Sequence, residues 1–87
     1  MNSQLTREFR ALFSGLPLEV QERARKAYRL WRENPSHPGL NFKIVDPLKR
    51  IYSARVGRSH RALGELRGDT IVWFWIGKHE KYERKLG

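Results

Sequence analysis

The apolar residues of the N-terminal third of the chain recur at the spacing of an α-helix. In the first such segment they stand three or four positions apart, from Leu5 to Phe13. Thr6 can cap the start of this helix, because its hydroxyl can accept a bond from a free backbone N–H, and Gly15 suits its end. Ahead of the helix, Asn2–Leu5 can pair as a short edge strand.

A second, longer helix is predicted to begin at Pro17, because proline suits the first helical position, where the N–H has no partner. Its apolar stripe follows the helical period and consists of Val20, Ala24, Ala27, Tyr28, Leu30 and Trp31. Asn34 and Pro35 end this helix, and Pro38 and Gly39 indicate a surface connection. The two helices are therefore expected to form a hairpin.

Beyond Leu40 the pattern changes to that of short strands separated by turns. The predicted strands are Phe42–Val45, Ile51–Val56, His60–Leu66 and Thr70–Ile76. Connections this short join antiparallel neighbours, since a parallel crossover needs a dozen or more residues. The pattern predicts an α+β fold in which an N-terminal helical hairpin packs on an antiparallel sheet of three to four strands.

The last strand is apolar on both faces from Val72 to Ile76, so we expect it inside the sheet rather than at an edge. Trp73 and Trp75 are interpreted as core residues, although both could stack on bases. The polar segment Lys78–Leu86 is predicted to form one or two helical turns.

Charge narrows the range of partners. The 87 residues carry a formal charge of +9 and no cysteine, and residues 42–87 hold 11 basic and 5 acidic side chains. A charge balance this basic predicts a polyanionic partner, with solubility as the simpler alternative. No apolar run is long enough to cross a bilayer, and the absence of cysteine suits a reducing compartment, so we expect a cytoplasmic protein without a membrane partner.

The sequence has no nucleophile elbow, no phosphate-binding glycine loop and no metal-ligand spacing among His37, His60 and His79. We therefore expect no metal and no cofactor. Alternation in the strand that contains Ser53 places Arg55 on the side away from the helices, and Arg61 begins the next strand across a short turn. The two guanidinium groups can converge on one phosphate, or they can pair with Glu65 and Asp69 as ordinary surface charges.

His79 and Tyr82 follow the last strand closely, at an end where side chains can reach over the neighbouring face. Cleavage of RNA without metal requires groups that move protons at the 2′-hydroxyl and the 5′-oxygen, and cations that stabilise the charged phosphorane. A histidine, which titrates near neutrality, and the two arginines meet these needs. His79 and Tyr82 can instead be a solvated residue and a ring packed on the sheet.

Two segments, Tyr52–Leu63 (YSARVGRSHRAL) and Asp69–Tyr82 (DTIVWFWIGKHEKY), make the chain resemble the RelE/ParE superfamily of toxins. The resemblance covers nearly the whole chain and implies a single RelE/ParE-like toxin domain over residues 1–87. It also implies a small cognate antitoxin. RelE-like members cut mRNA on the ribosome and so inhibit translation, whereas ParE-like members act on DNA gyrase.

The resemblance places Arg55, Arg61, His79 and Tyr82 at positions that carry catalysis in the RelE branch. Ser53 departs from that branch, which often has a second lysine there, and Lys43 or Lys78 is a candidate to compensate. The predicted nucleic-acid-binding residues are Lys43, Arg58, Lys78 and Lys81. The prediction is a ribosome-dependent mRNA endoribonuclease, with a gyrase inhibitor or a non-catalytic nucleic-acid-binding module as the alternatives.

Overall fold

A computed structural model describes residues 1–86 of the chain. Its elements in chain order are β1 (Asn2–Leu5), α1 (Arg7–Ser14), α2 (Leu18–Glu33), a 3-10 turn (Pro38–Leu40), β2 (Lys43–Asp46), β3 (Ile51–Val56), β4 (His60–Arg67), β5 (Thr70–Lys78) and α3 (His79–Leu86). The α+β class and the helical hairpin predicted from the sequence are confirmed.

The helices begin and end at the local signals of the sequence. The Thr6 hydroxyl accepts a hydrogen bond of 3.0 Å from the Phe9 N–H and caps α1, and Gly15 ends that helix. Pro17 is the N-cap of α2 rather than its first helical residue, so the helix begins one position later than predicted. Asn34 ends α2 as expected.

The sheet has five strands in the order β1-β5-β4-β3-β2, against the three to four predicted. The fifth is β1, the short edge strand that the sequence allowed at Asn2–Leu5, and it pairs with β5 in parallel, so the sheet is mixed rather than purely antiparallel. The pairing of β1 with β5 is extended by the Thr6 N–H, which donates to the Trp73 carbonyl at 3.0 Å. Because β5 lies between β1 and β4, the prediction that it is an internal strand is confirmed.

A β-bulge in β5 reverses the alternation of side chains halfway along the strand. The register pairs Leu63 with Trp75 but Gly64 with Trp73, which leaves Phe74 as the extra residue. Trp73 therefore faces the helices, whereas Trp75 lies on the other face of the sheet. The interpretation of both tryptophans as core residues is correct for Trp73 and wrong for Trp75.

The core lies between the helices and one face of the sheet. Trp31 of α2 is 1% exposed and meets Trp73 edge to face, with 5.4 Å between ring centroids. Phe42 lies at the edge of the same Trp31 ring, at 5.8 Å. The opposite face of the sheet has no helix of the hairpin on it, and we call it the open face.

Candidate active site on the open face

Arg55 and Arg61 lie directly opposite each other at one end of the open face. They are register partners across the β3–β4 hairpin, and Gly77 of β5 is the next residue in the same row. Neighbouring residues Ala54 and Ala62 are buried in the core on the other face, so both arginines point away from the helices. The sequence prediction that the two guanidinium groups share one surface is therefore met by the geometry.

Helix α3 brings the other two predicted residues to the same end. The His79 N–H donates to the Ser59 carbonyl at 2.8 Å, which fastens the start of α3 to the β3–β4 turn. One helical turn later Tyr82 stacks on the His79 imidazole, with 5.6 Å between ring centroids and 14° between planes. His79 is exposed and Tyr82 is half-buried.

The electrostatics of Arg61 connect the arginine pair with Tyr82. Partial burial and then the like charge of Arg55 lower the pKa of Arg61, whereas Tyr82 raises it. The Arg61 guanidinium also donates to the His60 carbonyl at 2.8 Å, which holds its side chain in place. Arg55, Arg61, His79 and Tyr82 thus form one group at the end of the open face, which we call the arginine cluster.

No carboxylate among the side chains that the structure describes forms a salt bridge with Arg55 or Arg61. Glu65, one proposed partner, instead pairs with Arg67, with 2.6 Å between Oε1 and Nε. Asp69, the other, accepts a hydrogen bond from the Asn2 side chain at 3.2 Å. The alternative in which the two arginines pair with Glu65 and Asp69 is therefore excluded by the geometry, and the pair is available to an external anion.

The four predicted nucleic-acid-binding residues are distributed unevenly. Lys43 is the register partner of Ser53 and lies beside the arginine cluster on the open face, so it can supply the charge that Ser53 lacks. Lys78 is paired with His60 on the helix side of the sheet. Arg58 in the β3–β4 turn and Lys81 of α3 are exposed at the same end.

Sequence reasoning missed Trp75 as a residue of this surface. A Cβ at Gly77 would lie 2.6 Å from Cζ2 of Trp75, so the half-buried indole covers Gly77, which neighbours Arg61 in the sheet. The space for the ring exists because glycine has no side chain. The sequence signal was the Trp75-Ile76-Gly77 spacing, which acquires meaning only when the bulge places Trp75 on the open face.

Two cavities lie on opposite faces of the sheet. On the open face, a hollow of about 550 Å³ lies at the end away from the arginine cluster and contains Phe74, and we call it the Phe74 hollow. On the helix side, an apolar cleft of about 520 Å³ separates α1 and α2 and reaches Trp31 and Trp73. None of the helices that the structure describes has the length and apolar character of a membrane-spanning segment.

Comparison with known proteins identifies the class. The family described as ParE-like toxin domain matches residues 18–84. No curated protein matches the chain. The RelB–RelE antitoxin–toxin complex of Methanococcus jannaschii contains a similar chain, with a TM-score of 0.75, 18% identity, and coverage of 97% of this chain and 99% of that one.

Two further solved structures share the fold. The RelBE2 toxin–antitoxin complex of Mycobacterium tuberculosis has a TM-score of 0.69 and 20% identity, covering 90% of this chain and 96% of that one. The YoeB/ParE toxin of Agrobacterium tumefaciens has a TM-score of 0.70 and 13% identity, covering 91% and 99%. The chain belongs to the ParE-like toxin family, and its fold is that of the RelE and YoeB/ParE toxins in these structures.

Proposed function

We propose that this toxin is a metal-independent endoribonuclease that cleaves mRNA on the ribosome and thereby inhibits translation. The observation that carries the proposal is the arginine cluster: two cations without a carboxylate partner among the described side chains, next to an exposed imidazole and a phenol. This set matches what phosphodiester cleavage through the 2′-hydroxyl requires. Membership of the ParE-like toxin family supports a toxic activity but does not specify the reaction. The reaction is inferred from the residues of the arginine cluster.

The proposed reaction breaks one bond and forms another at the same phosphorus. The 2′-oxygen attacks the phosphorus, the bond to the 5′-oxygen breaks, and the products are a 2′,3′-cyclic phosphate and a 5′-hydroxyl. Arg55 and Arg61 bind the scissile phosphate and stabilise the extra negative charge of the phosphorane. His79 exchanges protons with the reacting oxygens, and Tyr82 orients or stacks on a base.

Cleavage of mRNA by the purified toxin with purified ribosomes tests the proposal. We expect Arg61→Ala and His79→Ala each to lower the cleavage rate by at least about 100-fold, in the range for a lost general acid–base or charge-stabilising group. Both side chains lie outside the core, so both variants should remain folded, with a far-UV circular dichroism spectrum like that of the wild type. Lys26→Ala, on the exposed side of α2, is the matched control.

A wild-type toxin that arrests growth while mRNA on ribosomes stays intact would contradict the nuclease. The second candidate is then a ParE-like inhibitor of DNA gyrase, which the description of the matching family favours. Supercoiling assays with purified gyrase distinguish the two, since a gyrase inhibitor leaves translation unaffected in a purified system. A harmless protein upon induced expression would indicate a non-catalytic nucleic-acid-binding module.

A cognate antitoxin is the proposed protein partner, as in the two solved toxin–antitoxin complexes that share the fold. The charge of +9 favours an acidic or amphipathic antitoxin that covers the basic open face with a helix or strand. A short open reading frame beside the gene is the expected source. Its product should bind the toxin and block access to Arg55 and Arg61.

A further inference from the structure

The Phe74 hollow combines an aromatic ring with charged side chains. Its lining includes Lys49, Arg50, Glu65, Arg67 and Phe74. The β-bulge turns Phe74 onto the open face, where its ring is half-buried and accessible from solvent. An aromatic ring on an open sheet face offers a stacking surface to any base, since every base has a π-face.

The cations beside Phe74 are available to an anion. Arg67 is paired with Glu65, but Lys49 and Arg50 form no salt bridge with any carboxylate whose side chain the structure describes, and both are exposed. Two hydrogen bonds hold the backbone of Lys49 and Arg50, one at the N–H of Lys49 and one at the carbonyl of Arg50. The Asp46 carboxylate accepts a bond of 3.1 Å from the Lys49 N–H, and the Arg50 carbonyl accepts one of 2.9 Å from the Leu66 N–H.

Arg50 is held in the left-handed region, at a φ of 56°. This conformation is uncommon for a residue other than glycine and costs free energy, and such residues concentrate at functional sites. The β2–β3 turn thus presents two cations from a defined backbone. Because a bound phosphate neutralises such charges, the hollow is complementary to an anionic polymer that also carries flat rings.

The hollow and the arginine cluster lie on one continuous surface. Along β4 the distance from Arg61 to Glu65, which lines the hollow, is four residues, or about 13 Å. Trp75 lies between the two ends, with its indole over Gly77. A single strand of RNA whose phosphate is held at Arg55 and Arg61 can therefore continue across Trp75 to the hollow.

We propose that the Phe74 hollow is a second subsite for single-stranded RNA, which takes an unpaired nucleotide flanking the scissile one. The base stacks on Phe74, and its phosphate is held by Lys49 and Arg50. The proposal rests on the nuclease function and deepens it, since it extends the bound substrate from the scissile phosphate across the sheet to the hollow.

Binding of RNA of two lengths tests the subsite. We use a dinucleotide and a hexanucleotide made uncleavable by 2′-O-methyl groups, with fluorescence anisotropy of the purified toxin as the readout. The hexanucleotide should reach both ends of the surface and bind the wild type more tightly than the dinucleotide. Phe74→Ala should weaken hexanucleotide binding by about 5-fold to 150-fold, the range for removal of one stacking partner, and leave dinucleotide binding unchanged.

Conservative variants separate stacking from folding. Phe74→Tyr keeps the ring and should bind the hexanucleotide like the wild type, whereas Phe74→Leu keeps an apolar side chain and should bind like Phe74→Ala. Lys49→Gln with Arg50→Gln should reduce the slope of log affinity against log salt by about 0.7 for each phosphate that the variant no longer neutralises. Lys26→Gln, on the exposed side of α2, is the control and should leave the slope unchanged.

Two outcomes would overturn the subsite. One is that Phe74→Ala and the double variant bind the hexanucleotide as the wild type does while the wild type cleaves mRNA. Another is that these variants keep RNA binding but no longer bind the antitoxin, which would make the hollow a protein-docking surface. A wild type that shows the expected length dependence but never cleaves mRNA instead overturns the nuclease and supports the RNA subsite.

Discussion

His60 shows how one buried side chain couples this fold to pH. It is 6% exposed on the helix side of the sheet, and its Nδ1 lies 2.8 Å from the Ser59 hydroxyl. Burial, followed by the charges of Lys78 and Arg23, lowers the pKa of His60 from 6.5. The charged form is disfavoured because it would lose hydration and would be repelled by these two cations.

The sign of the resulting pH dependence follows from the direction of the pKa shift. As the pH falls below about 6.5, the unfolded chain binds a proton at His60 before the folded chain does, so the free energy of unfolding should decrease. Urea unfolding between about pH 7 and pH 5.5 measures this loss. His60→Gln should flatten it, and Lys78→Gln should reduce it, because one repelling cation is gone. An equal loss in His60→Gln and wild type would contradict the assignment.

At the scale of elements, β3 and β4 combine a stable hairpin with an unfavourable pair. Arg55 and Arg61 stand directly opposite each other, and like charges in this position destabilise a sheet. Among the described side chains no carboxylate forms a salt bridge with either guanidinium, so the repulsion persists until an anion binds. The two positive charges that suit the pair to phosphate binding therefore lower the stability of the free protein.

Arg55→Thr should separate stability from function. Threonine favours strands and removes the repulsion, so the free energy of unfolding should rise by about 0.2–1 kcal/mol in urea titrations. The same variant should cleave mRNA more slowly, because one of the two phosphate-binding cations is missing. Arg29→Thr on the exposed side of α2 is the control, since it removes a cation without relieving this pair. A variant that is both less stable and fully active would refute the interpretation.

The elements that sequence reasoning predicted well depend on local signals. Thr6 caps the start of α1 and Asn34 ends α2, as predicted. Arg55 and Arg61 are opposite each other across a single short turn. The parallel pairing of Asn2–Leu5 with β5 joins segments nearly a chain length apart, and no local pattern encodes it. Trp75 was misplaced because strict alternation puts it beside Trp73, and a bulge has no clear signature in one sequence.

At the scale of the whole molecule, the charge of +9 is balanced by few internal ion pairs. Among the side chains that the structure describes, the one salt bridge joins Arg67 and Glu65, and both side chains are at least partly exposed. An unbalanced charge of one sign repels itself more strongly in the compact state than in the expanded chain. The basic surface therefore destabilises the free toxin while it attracts a polyanion.

Added salt should act in opposite directions on these two properties. Screening weakens the self-repulsion, so the Tm of the free toxin should rise between low and moderate sodium chloride. Over the same range the affinity for the uncleavable hexanucleotide should fall, because released counterions no longer favour binding. Differential scanning fluorimetry and anisotropy measure the two trends. A neutral osmolyte at equal osmolality is the control, and a Tm that falls with salt would count against the argument.

Because Phe74 is an extra residue in β5, this strand can lose one residue without losing its core positions. Since Phe74 is the inserted position, its deletion would restore strict alternation and leave Trp73 facing the helices and Ile76 in the core. A relative with a one-residue gap at this point can thus keep the same interior and lack the hollow. In this protein, loss or gain of a residue inside a central strand is a route to a different binding surface on an unchanged scaffold.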